Sequence, residues 1–262
     1  MGKIPYLNSI PFYANFEKRQ FKMLPVAPRR MGMLSERGGI DAGPFSLVDY
    51  LRQEDKLELM GWCIATRDQV KSVMLFSKEG WADLQGKKIG ITDETTTSVK
   101  LLQVLLEKKY GVQAQFERLH SGINDYSRFD AVLLIGDEAL RRNKYGLDGF
   151  ELVYDLAREW YEWQKLPFVF AVWACKRSLA YTTKTELNDL LSRSLSASEE
   201  DFLAGALLSG ARIGLTEKET QEYLAGFNYR LGERETEAMG AFGQLISEVE
   251  GMTSSKEAIW GE

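Results

Sequence analysis

The sequence predicts an α/β fold in two lobes, on three observations. Before Thr182, short apolar runs alternate with segments of helical periodicity, the pattern of sheets that carry helices on their faces. A largely parallel sheet is the expectation. Two strand-rich stretches, 62–77 and 168–175, flank the block 81–165, so the chain should cross twice between lobes. After Thr182 the pattern is helical almost throughout. One lobe is therefore expected from residues 1–75 and 176–262, the other from 76–175.

The elements follow in order from their patterns. Apolar or alternating runs give candidate strands at Lys3–Tyr6, Lys22–Val26, Asp41–Gly43, Cys63–Thr66, Ser72–Ser77, Lys88–Ile91, Ala114–Arg118, Ala131–Ile135, Glu151–Tyr154 and Phe168–Ala174. Helical spacing fills the gaps at Ser9–Asn15, Arg29–Glu36, Ser46–Arg52, Thr97–Tyr110, Asp137–Arg142 and Leu156–Trp163. Ala131–Ile135 and Phe168–Ala174 carry no charge and read as strands buried on both faces. In the last third, Thr183, Ser196 and Thr216 suit helix N-caps and Gly210 and Gly226 suit helix stops.

Composition excludes several classes of function. The 262 residues are 44% apolar, ample for a buried core, with no uncharged apolar stretch long enough to span a membrane and no signal-peptide core at the start. A cytoplasmic protein is expected. A net charge of −5 without a basic run argues against nucleic acid. The single histidine, His120, falls in a polar loop and leaves no multi-histidine metal site, and Cys63 and Cys175 lack ligand spacing and read as free thiols. No metal is expected.

Chemistry concentrates at junctions where a strand gives way to a helix. Asn8-Ser9, Ser46, the run Thr95-Thr96-Thr97-Ser98, and Gly136-Asp137 each place hydroxyls, amides or free N–H groups at the positive end of a helix. Such ends bind carboxylates. Each junction also has an ordinary reading as an N-cap, and Ser72 is equally a plain strand residue. The stretch Asp155 to Cys175 adds Trp160, Trp163, Phe168 and Trp173, with Glu159 set among the rings. Core packing competes there with a role against a ligand.

Five blocks in order carry a family resemblance: KIPYLNSIPF at 3–12, KSVMLFSK at 71–78, TDETTTSVKLLQVLL at 92–106, AVLLIGDEALR at 131–141 and LPFVFAVWA at 166–174. With these the chain resembles the chorismate dehydratases of the futalosine-pathway menaquinone-biosynthesis family. The resemblance implies a two-lobed type II periplasmic-binding-protein-like fold with the ligand in a cleft between lobes. It implies a lyase that removes water from chorismate, a dicarboxylate, without metal or organic cofactor, and at most a second copy of the chain as a macromolecular partner. On that basis Asn8 and Ser9 are assigned to the reacting carbons, and Thr95 to Ser98 with Ser46 or Ser72 to the two carboxylates. Gly136 and Asp137 join the substrate site, Trp160, Trp163 and Phe168 wall the ring, and either the substrate's own carboxylate or Glu159 serves as base. One departure stands out: Ser46-Leu47 occupies a register where members carry Pro-Ser or Pro-Ala. The rival reading is a non-catalytic binding protein for an aromatic or cyclic acid, followed by the pathway's naphthoate-forming synthase.

Overall fold

The computed structural model describes residues 1–16, 21–92, 96–119, 125–196 and 199–252. Along the chain β1 (Gly2–Lys3), a 3-10 helix (Leu7–Tyr13), β2 (Leu24–Pro25), α1 (Pro28–Glu36), β3 (Ala42–Ser46), α2 (Leu47–Leu51) and β4 (Leu57–Thr66) come first. Next are β5 (Val73–Ser77), a 3-10 turn (Trp81–Leu84), β6 (Lys88–Thr92), α3 (Thr97–Val104) with a π-helical last turn (Leu105–Lys109), and β7 (Gln115–Leu119). They are followed by β8 (Ala131–Ile135), α4 (Gly136–Tyr145), β9 (Leu152–Asp155) and α5 (Leu156–Gln164). The chain ends its described part with β10 (Phe168–Lys176), α6 (Tyr181–Ser196), α7 (Glu199–Arg212), α8 (Glu217–Ala225), β11 (Phe227–Arg230) and α9 (Glu233–Met252).

Two compact units result, one from residues 1–66 and 169–232, the other from 67–168 and 233–262. This corrects the expected partition at the carboxy end, where α9 was assigned to the first lobe. Its Phe242 is fully buried against Trp160 and Phe168, and Glu250 and Glu248 reach Lys100 and Lys108, each at 3.0 Å. Apolar burial and charge pairing both tie the helix to the second unit.

The first unit holds a four-stranded sheet in the order β11-β4-β10-β3, with β10 antiparallel to β3 and β11 antiparallel to β4. The second holds a five-stranded sheet, β7-β6-β8-β5-β9, in which β6 runs parallel to β7 and β8 while β5 is antiparallel to β8 and β9. The expectation of a largely parallel sheet therefore fails in the first unit. A side-chain period of two is the same for either strand direction, and apolar runs buried on both faces do not distinguish them.

Local sequence explains the elements that departed from expectation. Pro5 has no N–H and ends β1 early, and the segment after it, with Pro11 inside, winds as a 3-10 helix over Leu7–Tyr13. Thr216 caps α8 through a full capping box with Glu219. Thr183 lies inside α6 and Ser196 ends it, so neither caps a helix start. Gly226 is the α8 C-cap, but α7 runs on past Gly210. A Cβ at Gly210 would stand 2.1 Å from the Thr220 hydroxyl, so glycine there permits close packing of α7 on α8.

In the first unit Phe12, Trp62, Ile64, Trp173, Cys175, Leu187 and Leu191 form a buried cluster. The second unit packs Met74, Phe76, Phe129, Val132, Leu134 and Phe150. Cys63 and Cys175 are buried and form no disulfide, and burial pushes the Cys175 thiol above its usual range.

Candidate functional site

In the second unit the sheet register gathers several candidates at one edge. Ile91 lies opposite Leu133, Val73 opposite Ile135, and Met74 opposite Asp155. The carboxyl ends of β6, β8 and β9 and the start of β5 therefore share that edge. From it spring α3, α4 and α5. Three helix N-termini, each a positive dipole end, face the same border of one sheet. Ser72, Thr96, Thr97, Ser98, Gly136 and Asp137 all lie there.

Each of these residues is held differently. Gly136 opens α4 at φ +60°, a conformation that favours glycine, and its N–H donates to the Ser72 carbonyl at 2.8 Å. Ser72 itself is buried. Thr96 is the N-cap residue of α3, yet its side chain makes no capping bond. Thr97 and Ser98 are buried in the first turn. Asp137 is the second residue of α4 and not its N-cap, which is Ile135. Its charge complements the helix dipole and competes with an anionic ligand. Thr95 and His120 lie outside the described residues. Thr92, which the sequence reading passed over, ends β6 at this edge, and its buried hydroxyl oxygen has no hydrogen-bond partner among the described residues. Such groups call for an explanation, and a bound ligand is one.

Asp155 fixes this edge. One carboxylate oxygen accepts the N–H groups of Val70 at 2.9 Å and Lys71 at 2.7 Å, and the other accepts those of Ala157 at 3.0 Å and Arg158 at 3.2 Å. It thereby caps α5 and holds Lys71 in a left-handed conformation, φ 59°. Burial raises its carboxyl above the usual carboxylate range, and the four N–H bonds pull it back. Relative to the unfolded chain the folded state thus favours the protonated form, so stability from this group is greatest at low pH, declines as pH rises from the ordinary carboxylate range through the raised folded value, and is level beyond it. Asp155→Ala should cost about 2–4 kcal/mol, because it leaves four backbone donors without their acceptor. Asp155→Asn should cost less. Urea unfolding midpoints test both, and an unchanged midpoint in the alanine variant would contradict the role.

In the first unit, Asn8 sits in the 3-10 helix, its carbonyl accepting a hydrogen bond from the Tyr229 hydroxyl at 3.0 Å. Its side-chain Oδ1 is buried and has no hydrogen-bond partner among the described residues. Ser9 departs from its assignment to the reacting carbons: fully buried, its hydroxyl lies 2.6 Å from the Ile4 carbonyl and 2.9 Å from that of Tyr6. That hydroxyl serves the local turn. Ser46 departs similarly, donating to the Asp49 carboxylate at 2.7 Å and accepting from the Asp49 N–H at 3.3 Å as the cap of α2.

The aromatic stretch corrects three further assignments. Glu159 accepts from Lys109 at 2.6 Å and from the Tyr110 hydroxyl, so its carboxylate is engaged within the second unit and is not presented as a base. Burial and that carboxylate together raise the Tyr110 phenol far above its usual range. Trp160 is fully buried, its Nε1 donates to the Pro167 carbonyl at 3.1 Å, and Phe168 packs edge-on against it at 5.4 Å. Both rings are core.

Among the described residues no cluster of His, Cys, Asp and Glu has the makings of a metal site, and no helix is long and apolar enough to cross a membrane.

Comparison with known proteins agrees with this frame. A chorismate dehydratase of Thermus thermophilus is 29% identical over 269 aligned residues, covering 92% of this chain and 95% of that protein. Among solved structures, an Archaeoglobus fulgidus protein superposes with a TM-score of 0.73 at 17% identity, covering 96% of this chain and 97% of the other. A Candida albicans protein described as having the generic periplasmic-binding-protein fold superposes at 0.60 with 10% identity, over 100% and 97% of the two chains. The fold is thus of the two-lobed periplasmic-binding-protein type. A family model described as menaquinone biosynthesis matches residues 1–248, nearly the whole described chain, and the protein belongs to that family.

Proposed function

We propose that this protein is a chorismate dehydratase, a hydro-lyase converting chorismate to 3-[(1-carboxyvinyl)oxy]benzoate and water in menaquinone biosynthesis. Besides family membership, the reading is supported by one geometric observation, the gathering of the α3, α4 and α5 N-termini at one sheet edge. A dicarboxylate suits such an edge, since hydrogen bonds to ionised oxygens are roughly twice as strong as neutral ones. Thr92, Thr96, Thr97, Ser98 and Ser72 are assigned to carboxylate binding.

The reaction takes a proton from the ring carbon bearing the enolpyruvyl ether and hydroxide from its neighbour, and the ring becomes aromatic. Aromatisation lowers the barrier, so the protein's task is to orient the substrate and assist the departing hydroxyl. Asn8 is assigned to that hydroxyl, its side-chain N–H donating to the departing oxygen, and the Oδ1 that nothing in the described residues engages supports a ligand beside this amide. For the proton, Glu159 is tied to Lys109 and Tyr110, and Asp49 to Ser46. That engagement supports the substrate's own carboxylate as the base.

Incubating pure protein with chorismate should consume the diene absorbance and yield the benzoate product in equal amounts. Tight chorismate binding without turnover would instead establish a receptor.

A further inference from the structure

The carbonyl of Asn8 has an unusual need. In a 3-10 helix each carbonyl accepts from the N–H three residues on, and for Asn8 that residue is Pro11, which has none. The Tyr229 hydroxyl supplies a donor, at 3.0 Å, from far away in sequence. We infer that Tyr229 is a positioning residue for Asn8, fixing the backbone from which the catalytic amide projects. The inference rests on the reading of Asn8 given above.

Several features of β11 fit this task. Phe227 lies opposite Thr66 and Asn228 opposite Ala65, but Arg230 lies opposite Trp62, so β4 carries one extra residue across from Tyr229. Such a bulge re-aims the side chain facing it. The Asn228 side chain braces the same spot, accepting from the Arg230 N–H at 3.1 Å and donating to the Arg230 carbonyl at 2.9 Å. The Tyr229 ring then meets Phe12, on the same 3-10 helix as Asn8, edge-on at 5.2 Å, and stacks on Phe227 at 6.1 Å. Ring and hydroxyl therefore hold the helix at two points. Burial raises the phenol well above its usual range, so it stays a donor at any pH the protein meets.

Tyr229→Phe keeps the ring and removes only the donor. Its kcat for chorismate should fall roughly 10-fold, the worth of about one hydrogen bond, while KM stays within about twofold. In an Asn8→Ala background the same change should cost nothing further, since the residue acts through Asn8. Phe227→Leu disturbs the strand packing but spares the hydroxyl and should keep its kcat. Tyr229→Phe with the parent kcat, an equal loss in both backgrounds, or an equal loss in Phe227→Leu would each overturn the inference while leaving Asn8 in place. An Asn8→Ala protein with full turnover would remove the reading of Asn8, and Tyr229's role with it.

Discussion

Replacing Asn8 with alanine is expected to lower kcat by about 10²-fold or more while changing KM far less, the signature of a contact made chiefly in the transition state. The expectation has a specific basis. Asn8 Oδ1 is buried without a hydrogen-bond partner among the described residues, an arrangement that costs stability unless something else uses the group. An ordinary capping role is excluded by position: the N-cap of this 3-10 helix is Tyr6, and Asn8 lies inside it. The substitution should therefore leave the melting temperature close to that of the parent. Kinetics and thermal unfolding on the one variant decide the matter, and a destabilised but fully active enzyme would end the assignment.

Trp160→Ala should have the largest effect on stability, about 3–5 kcal/mol. The indole is fully buried, with Trp163, Phe168 and Phe242 packed edge-on at 6.1, 5.4 and 5.6 Å. Its loss opens a cavity that rigid neighbours fill poorly, and it also strips the Pro167 carbonyl of its donor. A ring that walled a ligand site would behave otherwise, raising KM with little change in unfolding. Urea titration beside a KM measurement distinguishes the two, and a variant of parental stability with weakened substrate binding would return Trp160 to the ligand.

The strand-to-helix junctions were legible in the sequence because they are local. An apolar run, a hydroxyl or glycine, and a helical period suffice to place Thr96, Thr97, Ser98 and Gly136 at helix starts, and register does the rest. Ser9 and Ser46 carry the same local signal yet spend their hydroxyls on a nearby carbonyl and carboxylate, a choice that residue type alone does not reveal. The burial of Trp160 and Phe168 depends on Phe242, which arrives in a helix far along the chain. Strand β11 was missed because four residues between two helices give little period to read, although Phe227 and Tyr229 already alternate toward the core cluster. Strand direction in the first unit was missed because alternation carries no arrow.

The chain passes between the two units at 66/67, 168/169 and 232/233, and the last passage has a consequence for biosynthesis. A nascent chain generally folds its amino-terminal domain first, but neither unit here is contiguous. The ribosome has made the whole five-stranded sheet before Phe242 exists, and until α9 emerges the face built by Trp160 and Phe168 stays open to solvent. Exposed aromatic surface of this kind is what chaperones bind and what drives aggregation. The second unit should accordingly complete its packing only once α9 has emerged, and premature stop codons before α9 should yield insoluble product even though every strand has been synthesised.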